Sequence, residues 1–421
     1  MTRELLIPIA RDVVEHAKAG TIKQAKEVMR LPATHYTDSN RFNTEVERLI
    51  KRVPIVLGPS CEIPSSGDFK TLSIAGMSLI VSRAADGKAH AVINACSHRG
   101  ACLTKEESGN KKRFTCPYHG WSFSNVGDLL AVSAEKDFGS INKKDYGLIS
   151  LPVYESAGLI WAILNPKSEV DIPTFLSGYD KMLDTFSFSD WVYVSKREFS
   201  GPNWKIAYDG YLEYYHVPVL HRDTFGVDAT NQGLYYAWGP HQHIKSPATE
   251  KGHLATETLG YMANLIGKPE DEWDTETLTY GVWTVFPTTS IASFDAGGRG
   301  VLISQILPGN SVEESITTQY YIMEKPPIDP EGAEEQFDFF QKVVMQEDYA
   351  MGSSAEPALK EGGLDHILFG RNEQGNQHFH QWIDKVLNSD TDKDLNSLFS
   401  NTNENKSVSY THLTLPTKRI V

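Results

Sequence analysis

Four side chains constrain this chain most: Cys96 and His98 in the segment NACSHRGACL, and Cys116 and His119 in the segment CPYHGWSF. Each pair puts one thiolate and one imidazole on a short loop, so both can reach the same region. Two such loops need a small rigid scaffold to bring them together. The chain holds only 4 cysteines, too few for a disulfide framework in a polypeptide of this length. Metal binding is the expected use for two of them. Cys61 and Cys102 lack a ligand partner in the pattern and read as small buried thiols. Ligand count alone leaves a tetrahedral zinc site open.

The texture around these loops is β-rich. From Pro54 to about Pro166, short apolar runs such as Leu79–Ser82, Ala91–Asn94, Arg113–Thr115 and Leu159–Leu164 alternate with Gly, Asn and Asp, as expected of a small all-β domain. The first fifty residues read as helical, with an amphipathic segment near Glu4–Ala19 and helical spacing over Ile22–Met29 and Phe42–Ile50. Beyond Pro166, Trp283–Phe286, Ser290–Phe294, Val301–Leu307 and Ser315–Met323 read as consecutive antiparallel strands, with turns at 296–298 and 308–310. Helices are expected over Glu334–Met351 and Gln377–Leu387. The segment 391–421 is polar and expected to be disordered. Its end, Val408–Val421, resembles translated adapter sequence and is set aside.

A length of 421 residues suggests two domains. The net charge of −14 disfavours nucleic acid or an anionic membrane as partner. No run approaches the roughly 20 apolar residues that span a bilayer, and the N-terminus does not read as a signal peptide. The cytoplasm is the expected location.

A second constellation lies in NWKIAYDGYLEYYHVPVLH. His216 and His221 are five positions apart, about 140° around an undistorted helix at about 100° per residue. Converging them on one ion needs a break, for which Pro218 is suited. Two histidines plus a carboxylate make a facial iron triad with open positions. Glu213 stands three residues before His216, and Asp209 reads equally as a supporting group or a polar helix residue.

The Cys-x-His and Cys-x-x-His loops, with Pro117, Gly120 and Trp121, resemble the cluster loops of Rieske proteins, where one iron takes two thiolates and the other two imidazoles. With the downstream histidines and the closing FGRNEQGNQHFHQW, most of the chain is similar to catalytic (alpha) subunits of Rieske non-haem iron oxygenases, the ring-hydroxylating family. The resemblance implies an α+β fold: a Rieske all-β domain (51–166) inserted in a helix-grip, START-like catalytic domain with an antiparallel sheet (1–50 and 167–390). It implies a [2Fe-2S] cluster on Cys96, His98, Cys116 and His119, and mononuclear Fe(II) on His216, His221 and Asp348, with Glu347 the fallback. It implies that Glu213 bridges an iron histidine to a neighbouring subunit's cluster histidine in a head-to-tail homotrimer. O2, a small-molecule substrate, and an NAD(P)H-dependent reductase with or without a ferredoxin complete the system. An aromatic or other hydrophobic substrate is the leading expectation. A quaternary amine is the first alternative, suggested by Glu213 and nearby tyrosines, and electron carriage without oxygenation is the second.

Overall fold

In the computed structural model, the described residues are 3–226, 231–247, 265–295 and 298–404. The expectations for positions 296–297 and for 408–421 lie outside them.

Residues between 55 and 162 build three small antiparallel sheets. One pairs Ile55–Pro59 with Leu159–Ala162, tying the start of this unit to its end. A second stacks Ala89–Ile93, Met77–Arg83, Asp68–Ile74 and Ser108–Asn110. The third, Arg113–Thr115, Ser122–Ser124 and Leu129–Ala131, carries the second Cys-His loop. Phe69, Ile80, Phe114, Trp121 and Phe123 form a core of their own around the buried Cys96 and Cys116.

The remaining chain forms a seven-stranded antiparallel sheet. Its strands are β1 (Val192–Gly201), β2 (Leu234–Trp238), β3 (His241–Lys245), β4 (Val282–Val285), β5 (Thr289–Asp295), β6 (Arg299–Pro308) and β7 (Ser315–Met323), in the order β1-β7-β6-β5-β4-β3-β2. Strand β6 is buried along all but its first residue, and its central polar residue Gln305 donates to the Val56 carbonyl of the inserted β unit. The helix Gln374–Leu387 brings Phe379 to the rings of Phe286 and Tyr208, 6.0 and 4.9 Å away. The helix Pro330–Val343 places Phe337 and Phe340 against Tyr321 and Phe294, at 5.5 and 4.6 Å. The inserted β unit meets this sheet through Lys70, fully buried, paired with Glu62 and 4.9 Å from the Tyr320 ring.

Two of the sequence expectations fail near the ends of the chain. Ile22–Met29 is not helical: the first helix, Arg3–Ala19, stops at Gly20, and Met29 opens a strand, Met29–Pro32, paired with His366–Phe369. That pairing joins the two ends of the catalytic unit around the insertion. The tail is not disordered throughout, because Asp392–Glu404 is a helix that buries Leu395 and Phe399 completely.

Two buried histidines brace the sheet in their neutral form. His241 uses both ring nitrogens: Nε2–H donates to the Phe175 carbonyl at 3.1 Å, and Nδ1 accepts from the Phe286 amide at 3.3 Å. Burial pushes the pKa of His241 and of His378 down to about 3. In the unfolded chain each titrates near 6.5, so the unfolded state binds more protons as pH falls. Stability is fully present above about pH 6.5 and should decline towards about pH 3, by about 1.4 kcal/mol per pH unit for each histidine. Urea melts from pH 7 to 4, compared between the wild type and His378→Gln, measure this: the variant's decline should be shallower by one proton's worth.

Candidate metal centres

The two Cys-His loops share one backbone frame. The Cys96 amide donates to the Ala101 carbonyl and the Gly100 amide to the Cys96 carbonyl, both at 2.8 Å. The Cys116 amide donates to Trp121 at 2.7 Å and the Gly120 amide to Cys116 at 3.0 Å. Gly100 and Gly120 occupy the same place in each loop, with φ of 77° and 73°, where a side chain would be strained. Cys96 and Cys116 are buried. The rings of His98 and His119 lie 4.7 Å apart, with Trp121 stacked on His98 at 4.9 Å. Nδ1 of each histidine is buried without a hydrogen-bond partner among the described residues, which costs about 1–3 kcal/mol per atom unless something binds it. Cys102, expected to be buried, is exposed.

Among the described residues, only His216, His221 and Asp348 bring three ligand atoms within 4.8 Å of one another. The two thiolates and two imidazoles of the Cys-His loops are the donor set of a two-iron Rieske cluster, two thiolates on one iron and two imidazoles on the other.

The second site begins with Asn203, whose side chain caps the helix Trp204–Asp209 by accepting from the Lys205 and Ile206 amides. The helix then stops. His216 immediately precedes a separate short helix, Val217–Leu220, and His221 follows its end. Pro218 therefore does not break a helix between the histidines, as expected from sequence; it sits in a first turn, where its missing amide costs nothing. The two rings are 5.1 Å apart. Asp348 Oδ1 lies 3.5 Å from His216 Nε2 and 3.2 Å from His221 Nε2. Glu347 turns elsewhere, with Oε2 at 2.7 Å from His221 Nδ1 and Oε1 accepting from Thr224 Oγ1 at 2.5 Å. Both carboxylates ride on a widened π turn, Val344–Tyr349, a feature frequent at functional sites. Burial disfavours a charged His221, but hydrogen bonds and charge from Asp348, then Glu347, outweigh it and raise its pKa. A metal would displace that proton.

Glu213 is buried and bonds to His216 Nδ1, while its other oxygen accepts the amides of Tyr215 and His216. Each histidine thus has a carboxylate on the nitrogen facing away from Asp348, an arrangement that fixes the tautomer of metal ligands. Asp209 is the hub of a buried network: it accepts from Tyr36 Oη at 2.6 Å, contacts His380 Nε2 at 2.9 Å, and its carbonyl accepts from Asn376 Nδ2 at 3.0 Å. Gly375 allows this approach, since a Cβ there would sit 2.1 Å from the Leu212 carbonyl oxygen.

A cavity of about 420 Å³ opens over His216, His221 and Asp348. Phe294, Leu302, Phe339, Phe340, Val343 and Val344 are part of its apolar wall. Ser304 and Gln319 add polar groups, and among the described lining residues Glu213 and Asp348 are the only carboxylates, with no lysine or arginine. Tyr211, Tyr214 and Phe294 line it, whereas Tyr208, Trp283 and Phe286 are core residues and Tyr215 is exposed. His241, His243, His378 and His380 lie outside the lining. Of the two readings open for Asp209 in the sequence, its contacts favour the supporting group; the supporting role of Glu347 has no sequence signal, since adjacency to another acid carries no sign of what a side chain reaches.

Two family models match this chain: the Rieske [2Fe-2S] domain over residues 53–154 and the ring hydroxylating alpha subunit (catalytic domain) over residues 188–389. The chain belongs to the Rieske ring-hydroxylating oxygenase family. Membership implies a [2Fe-2S] cluster and a mononuclear iron, and the partnerless histidine nitrogens and the convergent triad fit both. This Rieske oxygenase chain is 31% identical over 202 residues to the anthranilate 1,2-dioxygenase large subunit of Acinetobacter baylyi, covering 46% of the chain and 43% of that relative. It spans about half the length of the curated relatives matched at such identity. The carnitine monooxygenase oxygenase subunit of Escherichia coli matches over 379 residues at 25% identity, covering 86% and 95%. The fold is similar to naphthalene 1,2-dioxygenase from Rhodococcus sp., with a TM-score of 0.70, 20% identity and coverage of 93% and 100%.

Proposed function

We propose that this chain is the oxygenase component of a Rieske system that uses O2 and electrons from a separate NAD(P)H-dependent reductase to hydroxylate or dihydroxylate a neutral aromatic or other hydrophobic small molecule. The observation that carries this reading is the convergence of His216, His221 and Asp348 at an apolar cavity, in a chain that also has a Rieske domain. Cys96, His98, Cys116 and His119 would hold the cluster, and His216, His221 and Asp348 the iron. When bound, these groups supply single-electron transfer and dioxygen activation.

The chain's own residues do the rest. Glu213 and Glu347 hold the two ligand rings in the tautomer whose Nε2 lone pairs face Asp348. The Phe294, Leu302, Phe339 and Phe340 wall excludes water and orients an apolar ring by area and shape. Two carboxylates and no lining cation disfavour an anionic substrate. Glu213, beside half-buried His216 and exposed Tyr215, is the group through which this site would meet a neighbouring subunit's cluster histidine in a head-to-tail homotrimer.

A quaternary amine is the second reading, favoured by the same lack of lining cations and by the rings of Phe294, Phe339 and Phe340, whose neighbouring centroids lie 4.6 and 5.6 Å apart. Oxygen uptake with a competent reductase separates the readings. Naphthalene or indole should stimulate product formation, and benzoate should not. Oxidation of choline in place of the arenes would move the assignment to quaternary amines. A chain with only its cluster irons and no oxygen uptake would be an electron carrier.

A further inference from the structure

We infer that Glu347, set by Thr224, is a positioning residue that pre-aligns His221 for the metal. The inference rests on the iron-site reading above and adds a role for the carboxylate beside the ligand. His221 is gripped at both nitrogens by consecutive residues: Nδ1 by Glu347 at 2.7 Å and Nε2 facing Asp348 at 3.2 Å. Successive side chains on an ordinary helix point about 100° apart. Here the widened turn Val344–Tyr349 brings both carboxylates to one imidazole.

The direction of each hydrogen bond completes the argument. Thr224 Oγ1–H donates to Glu347 Oε1, which leaves Oε2 to accept from Nδ1–H of His221. A proton held at Nδ1 leaves the Nε2 lone pair aimed at the ligand side. The loop that carries the ring is itself tight: the amides of Thr224 and Phe225 both donate to the His221 carbonyl, at 3.1 and 2.7 Å. Loop and turn are therefore stapled through the ring by protein groups alone. His216 has a different arrangement, since its carboxylate, Glu213, comes from the same local segment. The His221 staple is the one that joins two elements distant in sequence.

The test uses cluster-loaded protein from which the mononuclear iron has been chelated, titrated with Co(II) and read by the cobalt absorption bands. Glu347→Ala should raise the Co(II) dissociation constant by about 10- to 100-fold and alter the band pattern. Glu347→Gln keeps an acceptor oxygen and should recover part of that loss, and Thr224→Val should show a smaller rise than Glu347→Ala. Melting of the metal-free variants reports any purely structural effect separately. Unchanged Co(II) affinity in Glu347→Ala, or a glutamine variant no better than alanine, overturns the inference. A wild type that takes up no Co(II) at all would instead remove the iron-site reading itself.

Discussion

Asp348→Ala should lower bound iron from about three atoms per chain to about two and abolish substrate-dependent oxygen uptake, while the cluster spectrum stays intact. The expected loss is complete because, among the described residues, no other carboxylate stands ready to replace it. Asp348 Oδ1 is the oxygen near Nε2 of both histidines, at 3.5 and 3.2 Å. Glu347, its neighbour, is already committed to His221 Nδ1 and Thr224, and Glu213 to His216 Nδ1 and two backbone amides. Each would have to abandon those partners and cross the ring it now supports. Iron quantified on anaerobically reconstituted protein, beside the cluster's rhombic paramagnetic signal, decides the matter. A variant that keeps its full iron content would show that the triad is misassigned.

The site was legible in the sequence to the extent that its chemistry is local. Cys96, His98, Cys116 and His119 sit on short loops whose residue types and spacing already specify a metal site, and the structure gives both loops the same hydrogen-bond frame. The pair His216 and His221 was also visible, but the reason they converge was not. Sequence spacing suggested a helix broken at Pro218, whereas the structure ends one helix at Asp209 and starts another after His216. The roles of Glu347 and Asp209 depend on contacts with Thr224, Tyr36, Asn376 and His380. Apart from Tyr36, these partners come from the residues just after His221 or from the helix Gln374–Leu387, and no local pattern announces them.

The same division holds for the fold. The strand Ser315–Met323 coincides with its sequence expectation, because its apolar run and flanking turns are local signals. Met29–Pro32 has no local strand signal, because its partner, His366–Phe369, lies more than 300 residues away in the chain. The tail was a different kind of miss. Leu395, Leu398 and Phe399 have helical spacing, and Thr391 and Asp394 form a reciprocal capping box, with amide-to-side-chain bonds of 2.9 and 3.1 Å. Asp, Asn and Ser outnumber these residues in the segment, and that composition by itself reads as disorder.

Ending the chain after Asp390 should therefore destabilise the catalytic domain severely rather than trim a loose end. Leu395 and Phe399 are fully buried, and the Phe399 ring packs 5.0 Å from Phe175 and 6.2 Å from Trp382. Asp392 accepts from the Ser168 hydroxyl and the Glu169 amide at 3.2 and 2.9 Å, and Asn396 exchanges bonds with Glu169 and Asp171 at 2.9 and 2.8 Å. Truncating a buried leucine costs about 2–5 kcal/mol and a buried phenylalanine about 3–5 kcal/mol. Losing both removes about 5 kcal/mol or more, comparable with the whole stability of a marginal domain at about 5–15 kcal/mol. It also exposes Phe175 and Trp382, so aggregation is expected. Phe399→Ala keeps the test quantitative if the truncated chain fails to fold: at about 2–4 °C per kcal/mol for a domain of this size, its melting temperature should fall by about 6–20 °C. A melting temperature unchanged in Phe399→Ala would mean that this helix contributes no packing to the core, contrary to its complete burial.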